Sequence, residues 1–235
     1  AKGLKWYIGK VKGIDFSHCC LMVVKHEGDR ESFRKMRRDV SAIYRKHDGV
    51  FLGAEPGRSF AKAKFDFPHL RDYVMDRNMM ADVSETATTW SNLLPLYENS
   101  LADIECAIRD TGVASWVGCH ISHSYHTGAS LYFTFGCLQQ AGREIEQYLH
   151  VKKAAEDAFM KNGGTLSHHH AVGTEHLPWV EEDVSPTGLK AVQAVKDGLD
   201  PHGIMNPGKI IPAVETLKEW GLGEDAIQTV LNTDQ

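Results

Sequence analysis

Residues 163–173, GGTLSHHHAVG, place three imidazoles in succession between glycine turns. Histidine has the ordinary pKa nearest neutrality, so His168, His169 and His170 can together pass protons, ligate a metal or hold an anionic substrate. Each use calls for different companions. In an extended stretch His168 and His170 share one face and His169 takes the other, so at most two act on one centre. A metal needs further ligands, and His120, His123 and His126 are the candidates. Their spacing of three suits a helix face, yet they fall in a strand and a turn. The plain alternative is a set of exposed or structurally engaged histidines.

Five other positions have residue types that suit a site. Tyr125 and Tyr132 flank the turn HTGAS; Tyr132 is either a functional phenol or half of a cross-strand aromatic pair. Arg71, in FPHLRDYVM, is suited to bidentate capture of a carboxylate or phosphate, or else to an ion pair with the adjacent Asp72. Gly173 and the turn beginning at Asn206 let a backbone approach a ligand closely, or are ordinary turns.

The elements that must position these residues follow from hydrophobic periodicity. CCLMVVKHEG (19–28) reads as a strand, followed by a helix with the stripe Phe33, Met36, Val40, Ile43 and Tyr44, and by a strand at VFLG. Residues 55–80 read as a loop with a short helix around PHLRDYVMDR. The outline then repeats: a strand near ADVSETA, a helix carrying Leu94, Tyr97, Leu101, Ile104 and Ile108, closed by Gly112, and strands ASWVGCHIS and ASLYFTFGC. In the last of these Leu131, Phe133 and Phe135 face one way, Tyr132 and Thr134 the other. A long helix from about Arg143 to Asn162 precedes the histidines. The expected class is α+β: duplicated strand-helix-strand units forming an antiparallel, ferredoxin-like sheet with helices packed on one side. A C-terminal helical segment follows, capped by Ser185 with Pro186 in its first turn, and then a turn-rich HGIMNPGKIIP and a polar helical tail.

Composition narrows the function classes. The formal charge of -5 over 235 residues, with no extended basic block, disfavours nucleic acid as a partner. No stretch reaches the roughly 18 apolar residues of a membrane span. Five cysteines without a CxxC pair suggest reduced thiols and a cytoplasmic setting. The chain opens AKGLKWYIGK without an initiator methionine, which suggests a piece of a longer protein.

NGGTLSHHHAVG, DPHGIMNPGKIIP, HLRDY and YHTGASLYFTF together resemble the C-terminal portion of FAD-linked oxidases of the vanillyl-alcohol-oxidase type, and within it the alkyldihydroxyacetonephosphate synthase branch. The resemblance runs from about Cys19 to Pro212. It implies a substrate-binding cap over residues 1–163 and a segment, 164–235, that returns toward a FAD-binding domain outside this chain. Within the branch, Tyr132, His168, His169 and His170 match residues of proton transfer, and Arg71 matches an arginine that binds the acidic end of the substrate. Gly173 and Asn206 are the expected cofactor contacts, with most of the grip on FAD elsewhere. Metal-assisted 2-hydroxy-acid dehydrogenases of the same superfamily carry a histidine pair where this chain has Tyr125 and Tyr132, so no metal is expected.

The implied activity is exchange of the acyl group of acyl-dihydroxyacetone phosphate for a long-chain alcohol. The alternatives are an FAD-dependent oxidase or dehydrogenase of a 2-hydroxy acid of the D-lactate or glycolate type, and a non-catalytic ligand-binding module. The expected partner is a lipid-like or other small organic substrate; peripheral membrane association and a homodimer are compatible with it.

Overall fold

The computed structural model describes residues 6–16, 19–66, 68–212 and 218. The chain divides into two compact units, residues 1–69 and 70–235. The polar tail expected after Pro212 lies, Lys218 apart, outside the described residues.

In the first unit, α1 (Arg30–Lys46) begins where Asp29 accepts hydrogen bonds from the backbone N–H of Glu31 at 2.9 Å and Ser32 at 3.0 Å. The predicted apolar stripe is on this helix, but none of its residues is buried. Residues 55–63 form a second helix, α2 (Glu55–Ala63), instead of the expected loop. Pro56 and Gly57 suggest a break, but proline is at home in a first helical turn, and Arg58 pairs with Glu55 at 2.6 Å. Neither segment expected to be a strand, 19–28 or 50–53, forms a ladder with a described residue. A strand exists through its pairing, and an apolar run does not by itself supply a partner; Leu21, Met22 and Phe51 are exposed. The first of the two expected repeats therefore contributes a helix without its strands.

The second repeat forms completely. The expected short helix is α3 (Pro68–Met75). It is followed by β1 (Met79–Thr89), α4 (Leu93–Asp110), β2 (Ser115–Ser124), β3 (Gly128–Leu138) and α5 (Glu144–Lys161). The sheet order is β1-β3-β2, with both outer strands antiparallel to β3. The α+β class with an antiparallel sheet holds. Leu131, Phe133 and Phe135 turn toward the helices and are buried with Leu96, Ile104 and Ile108 of α4 and with Val151, Ala155 and Phe159 of α5. Each such side chain removed from water contributes about 1.5–3 kcal/mol. Tyr132 and Thr134 point to the opposite face. At the β2–β3 turn a Cβ on Gly128 would lie 1.9 Å from the Thr88 carbonyl oxygen, so only glycine fits there.

A charged cluster is buried between β1 and α5. Lys152, 3% exposed, donates to the Val83 carbonyl at 2.8 Å and pairs with Asp82 at 3.3 Å and Glu175 at 3.2 Å; Glu156 lies at 3.9 Å. Burial opposes charge on Lys152, but the acids around it outweigh that and raise its pKa. Burial also pushes the Glu156 carboxyl from an ordinary 4.5 up to about 8, against the Lys152 charge and the Ser84 hydroxyl that donates to it at 3.1 Å.

A pH dependence of stability follows. Glu156 retains its proton in the folded state while the unfolded chain has already released it, so its stabilising contribution is complete below 4.5 and is lost as pH rises toward about 8. Glu156→Gln, which keeps a neutral hydrogen-bonding group, is expected to flatten the decline in unfolding temperature across that interval. An unchanged slope in thermal melts would show that Glu156 is ionised when folded.

After the histidines comes α6 (Val180–Leu199), interrupted at Ser185, whose φ of 69° and ψ of 158° are not helical. Ser185 Oγ accepts the Gly188 N–H at 3.2 Å, and Pro186 opens the renewed helix, as the sequence indicates. The preceding turn of helix, 180–184, was not expected.

Candidate functional site

The histidine segment is fastened to the sheet before it reaches the histidines. Gly163 leaves α5 with φ 72°, and a Cβ on Gly164 would meet Thr86 Oγ1 at 2.3 Å, so the chain passes directly against β1. Thr165 donates its N–H to the Ala87 carbonyl at 3.0 Å and accepts the Ala87 N–H on its hydroxyl at 3.0 Å. Thr86 donates to the Thr165 carbonyl at 2.7 Å. Leu166 is fully buried with Trp179, Val180 and Leu189, and its N–H is accepted by Asp183 at 3.0 Å.

Beyond Ser167 the backbone bends rather than extends. Glu85 Oε1 accepts the N–H groups of His168 at 3.0 Å and His170 at 2.6 Å, and that of His169 as well. Three successive amides thus converge on one carboxylate oxygen, a backbone nest around an anion. The alternation expected of an extended stretch is lost for this reason. All three rings instead lie beside one another, with centroids 5.5 Å apart for His168 and His169 and 4.7 Å for His169 and His170. Burial would raise the pKa of Glu85, but the amides of His170, His169 and His168 prevail and lower it. Glu85 is therefore a buried carboxylate, its side chain 1% exposed.

The face of the sheet away from α4 and α5 supplies the rest of the wall. Tyr132 pairs across the sheet with Glu85 on one side and His120 on the other. Its ring stacks with His169 at 6.2 Å, meets His170 edge-on at 5.6 Å and lies 4.9 Å from His120. Strict alternation would place His120 and His123 on opposite faces. A bulge between Ile121 and His123 restores His123 to the Tyr132 side, where its ring is 4.9 Å from His168 and 5.2 Å from His169. Tyr125 and His168 share a hydrogen bond of 2.9 Å between the hydroxyl and Nε2. Burial, followed by the Glu85 charge, raises the Tyr132 pKa; burial, followed by His123, lowers that of His120. Burial pushes the Cys119 thiol up to about 12, which disfavours its thiolate.

The structure thus gathers Tyr132, His168, His169 and His170. The other expected residues make no recorded contact with these four. Arg71 is exposed and makes no hydrogen bond or ion pair with a described residue; its charge acts on Tyr148, whose hydroxyl donates to Glu175. The Gly173 N–H donates to His176 Nδ1 at 3.3 Å, and Asn206 occupies an exposed turn with φ 45°. Glu85 was not among the expected residues. The signal was an acid at an alternating position of the strand ADVSETA, opposite a tyrosine.

Ring nitrogens of His123, His168 and His169 lie within 4.8 Å of one another, as do ligand atoms of Glu85, His169 and His170. One group of three histidines and one of two histidines with a carboxylate are thus geometrically able to hold a cation, although Tyr125 already engages His168. For a flavin, the donor set suits the polar rim of the isoalloxazine ring: phenol and imidazole groups on an open sheet face, with His169 44% exposed. Among the described residues here no row of free amides or basic side chains forms a pyrophosphate cradle. An open cleft with largely apolar walls, lined by Thr88, Tyr125, Gly128, Gly164, Thr165 and His168, leads to the histidines.

Residues 3–210 match the family described as FAD linked oxidases, C-terminal domain. Alkyldihydroxyacetonephosphate synthase of Dictyostelium discoideum is 34% identical over 229 residues, 97% of this chain and 37% of that protein. The synthase of Trypanosoma brucei brucei is 34% identical over 219 residues, 93% of this chain and 36% of that protein. A solved alkyldihydroxyacetonephosphate synthase structure superposes with a TM-score of 0.61 at 27% identity, covering 87% of this chain and 34% of that one. The chain therefore spans little more than a third of the length of these relatives. It belongs to the FAD-linked oxidase family and comprises that family's C-terminal domain.

Proposed function

We propose that the protein to which this domain belongs exchanges the acyl group of acyl-dihydroxyacetone phosphate for a long-chain alcohol. The observation that carries this reading is the wall of Tyr132 and three imidazoles gathered around the Glu85 carboxylate. In such an exchange the bond from carbon to the acyl oxygen breaks and a fatty carboxylate leaves. The alcohol oxygen takes its place and gives up its proton. A proton on the reacting carbon is also removed and returned, which suits imidazoles at neutral pH. Bound flavin supplies electron-donating and electron-accepting chemistry that no side chain here possesses, with no net redox change.

The chain's own residues have distinct tasks on this reading. His168, His169 and His170 handle the protons of the substrate carbon, and Tyr132 serves the alcohol hydroxyl. The apolar cleft beside His168 takes hydrocarbon. Arg71, unpaired among described residues, holds an anionic end of the substrate by its planar fork. Gly173 and Asn206 contribute at most backbone approach to the cofactor. With tyrosines at 125 and 132, no metal is required.

Full-length protein supplied with FAD, acyl-dihydroxyacetone phosphate and hexadecanol is expected to form the alkyl product and free fatty acid in equal amounts, with no loss on treatment with a chelator. Absence of the alkyl product would refute the transferase reading, and loss restored by added divalent metal would refute its metal independence.

A further inference from the structure

The three histidines do not have equivalent surroundings. His168 has both ring nitrogens engaged: Nε2 shares a hydrogen bond with the Tyr125 hydroxyl at 2.9 Å, and Nδ1 lies 3.3 Å from His169 Nδ1. Its side chain is 17% exposed. His170 meets Tyr132 edge-on and makes no ring-nitrogen hydrogen bond with a described residue, so no contact fixes its tautomer. His169 differs from both. Its Nδ1 faces His168 Nδ1 at 3.3 Å and is also in ion-pair contact with Glu85 Oε2, its Nε2 has no partner among the described residues, and 44% of its side chain is open to solvent.

Glu85 is equally asymmetric. Oε1 is saturated by three backbone amides, whereas Oε2 is buried and accepts no hydrogen bond. A buried carboxylate oxygen left without a donor is costly, and His169 Nδ1 is placed to supply one. The nitrogen that carries the proton is set by the partner of its counterpart. A proton on Nδ1, favoured by the adjacent Glu85 charge and able to be accepted by His168 Nδ1, leaves the lone pair on Nε2.

We infer that Glu85 is a positioning residue that both shapes the histidine segment and fixes the His169 tautomer, making His169 Nε2 the atom that takes a proton from the substrate. This deepens the transferase reading and rests on it for the identity of the substrate. One oxygen holds the backbone, and the other directs the ring. The carboxylate and a neutral His169 together carry one negative charge, and when Nε2 gains a proton that charge stabilises the imidazolium that forms.

Glu85→Gln separates the two tasks. The amide oxygen still accepts the three N–H groups, but the amide nitrogen donates toward His169 Nδ1 and favours the opposite tautomer. Full-length protein with isotopically labelled histidine, studied by long-range proton–nitrogen correlation above the ordinary imidazole titration range and assigned with His169→Gln, is expected to show His169 protonated on Nδ1. In Glu85→Gln the proton is expected on Nε2, with kcat for exchange lowered roughly a hundredfold and KM little changed. A His169 protonated on Nε2 or on both nitrogens in the unsubstituted protein would overturn the proposal, even if Glu85→Gln does not fold. Unchanged kcat in a folded variant with the inverted tautomer would overturn it too. The tautomer is read without turnover, so a protein that performs no exchange would defeat the transferase reading while leaving this measurement decisive for Glu85.

Discussion

Full-length protein carrying His168→Ala, His169→Ala or His170→Ala is expected to exchange acyl for alkyl groups at a rate lowered by roughly a hundredfold or more, the usual range for lost acid-base catalysis. His169→Ala should show the largest loss, because its exposed ring alone combines an anchored Nδ1 with a free Nε2. Flavin content should not change, since none of these rings is buried in the core and the Glu85 nest is made by backbone amides that alanine retains. Tyr132→Phe preserves the stacking with His169 and the edge contact with His170 while removing the hydroxyl; it should impair exchange without altering the circular dichroism spectrum. Steady-state rates of alkyl product formation check all four variants. Unimpaired exchange in the three alanine variants would reduce the histidines to a structural feature.

The largest stability effect is expected away from the chemistry. Lys152→Met leaves the nearly buried Asp82 against β1, and the half-exposed Glu175, without the cation between them. Removing one partner of a buried ionic cluster typically costs about 3–5 kcal/mol, because the remaining charge is buried uncompensated. Thermal unfolding of the full-length protein should show a lowered midpoint for the domain, and the histidine segment should loosen with it, since Glu175 follows that segment by only a few residues. Lys152→Arg, which keeps the charge, should lose less. A Lys152→Met protein as stable as its parent would show that neighbouring groups relax to rehydrate the acids.

The second half of the fold was legible because its signals are local and agree with one another. Alternation in ASLYFTFGC assigns Phe133 and Tyr132 to opposite faces, and three- and four-residue spacing marks α4. The strands at 19–28 and 50–53 were misread because a ladder depends on a partner that an apolar run does not encode. The helix at 55–63 was missed because its mixture of Pro, Gly, Lys and aromatics shows no clean period, whereas Pro56 in fact occupies a first helical turn.

In the site, residue types pointed to the histidines and Tyr132, but not to how they meet. The convergence depends on Glu85, distant in sequence, and on a bulge that brings His123 to the same face as His120. Neither long-range hydrogen bonding nor a bulge has a period that a sequence window can show. Arg71 is a residue type suited to anion capture, and its charge acts on Tyr148.

The most direct test of redox-neutral transfer at the histidine wall records the flavin absorbance of the full-length protein during turnover with acyl-dihydroxyacetone phosphate and hexadecanol under air. Alkyl product should accumulate with the flavin oxidised at the beginning and the end and with no oxygen consumed. Slow or absent exchange, together with rapid bleaching of the flavin by D-lactate or glycolate, would contradict the account and assign the protein to hydroxy-acid oxidation.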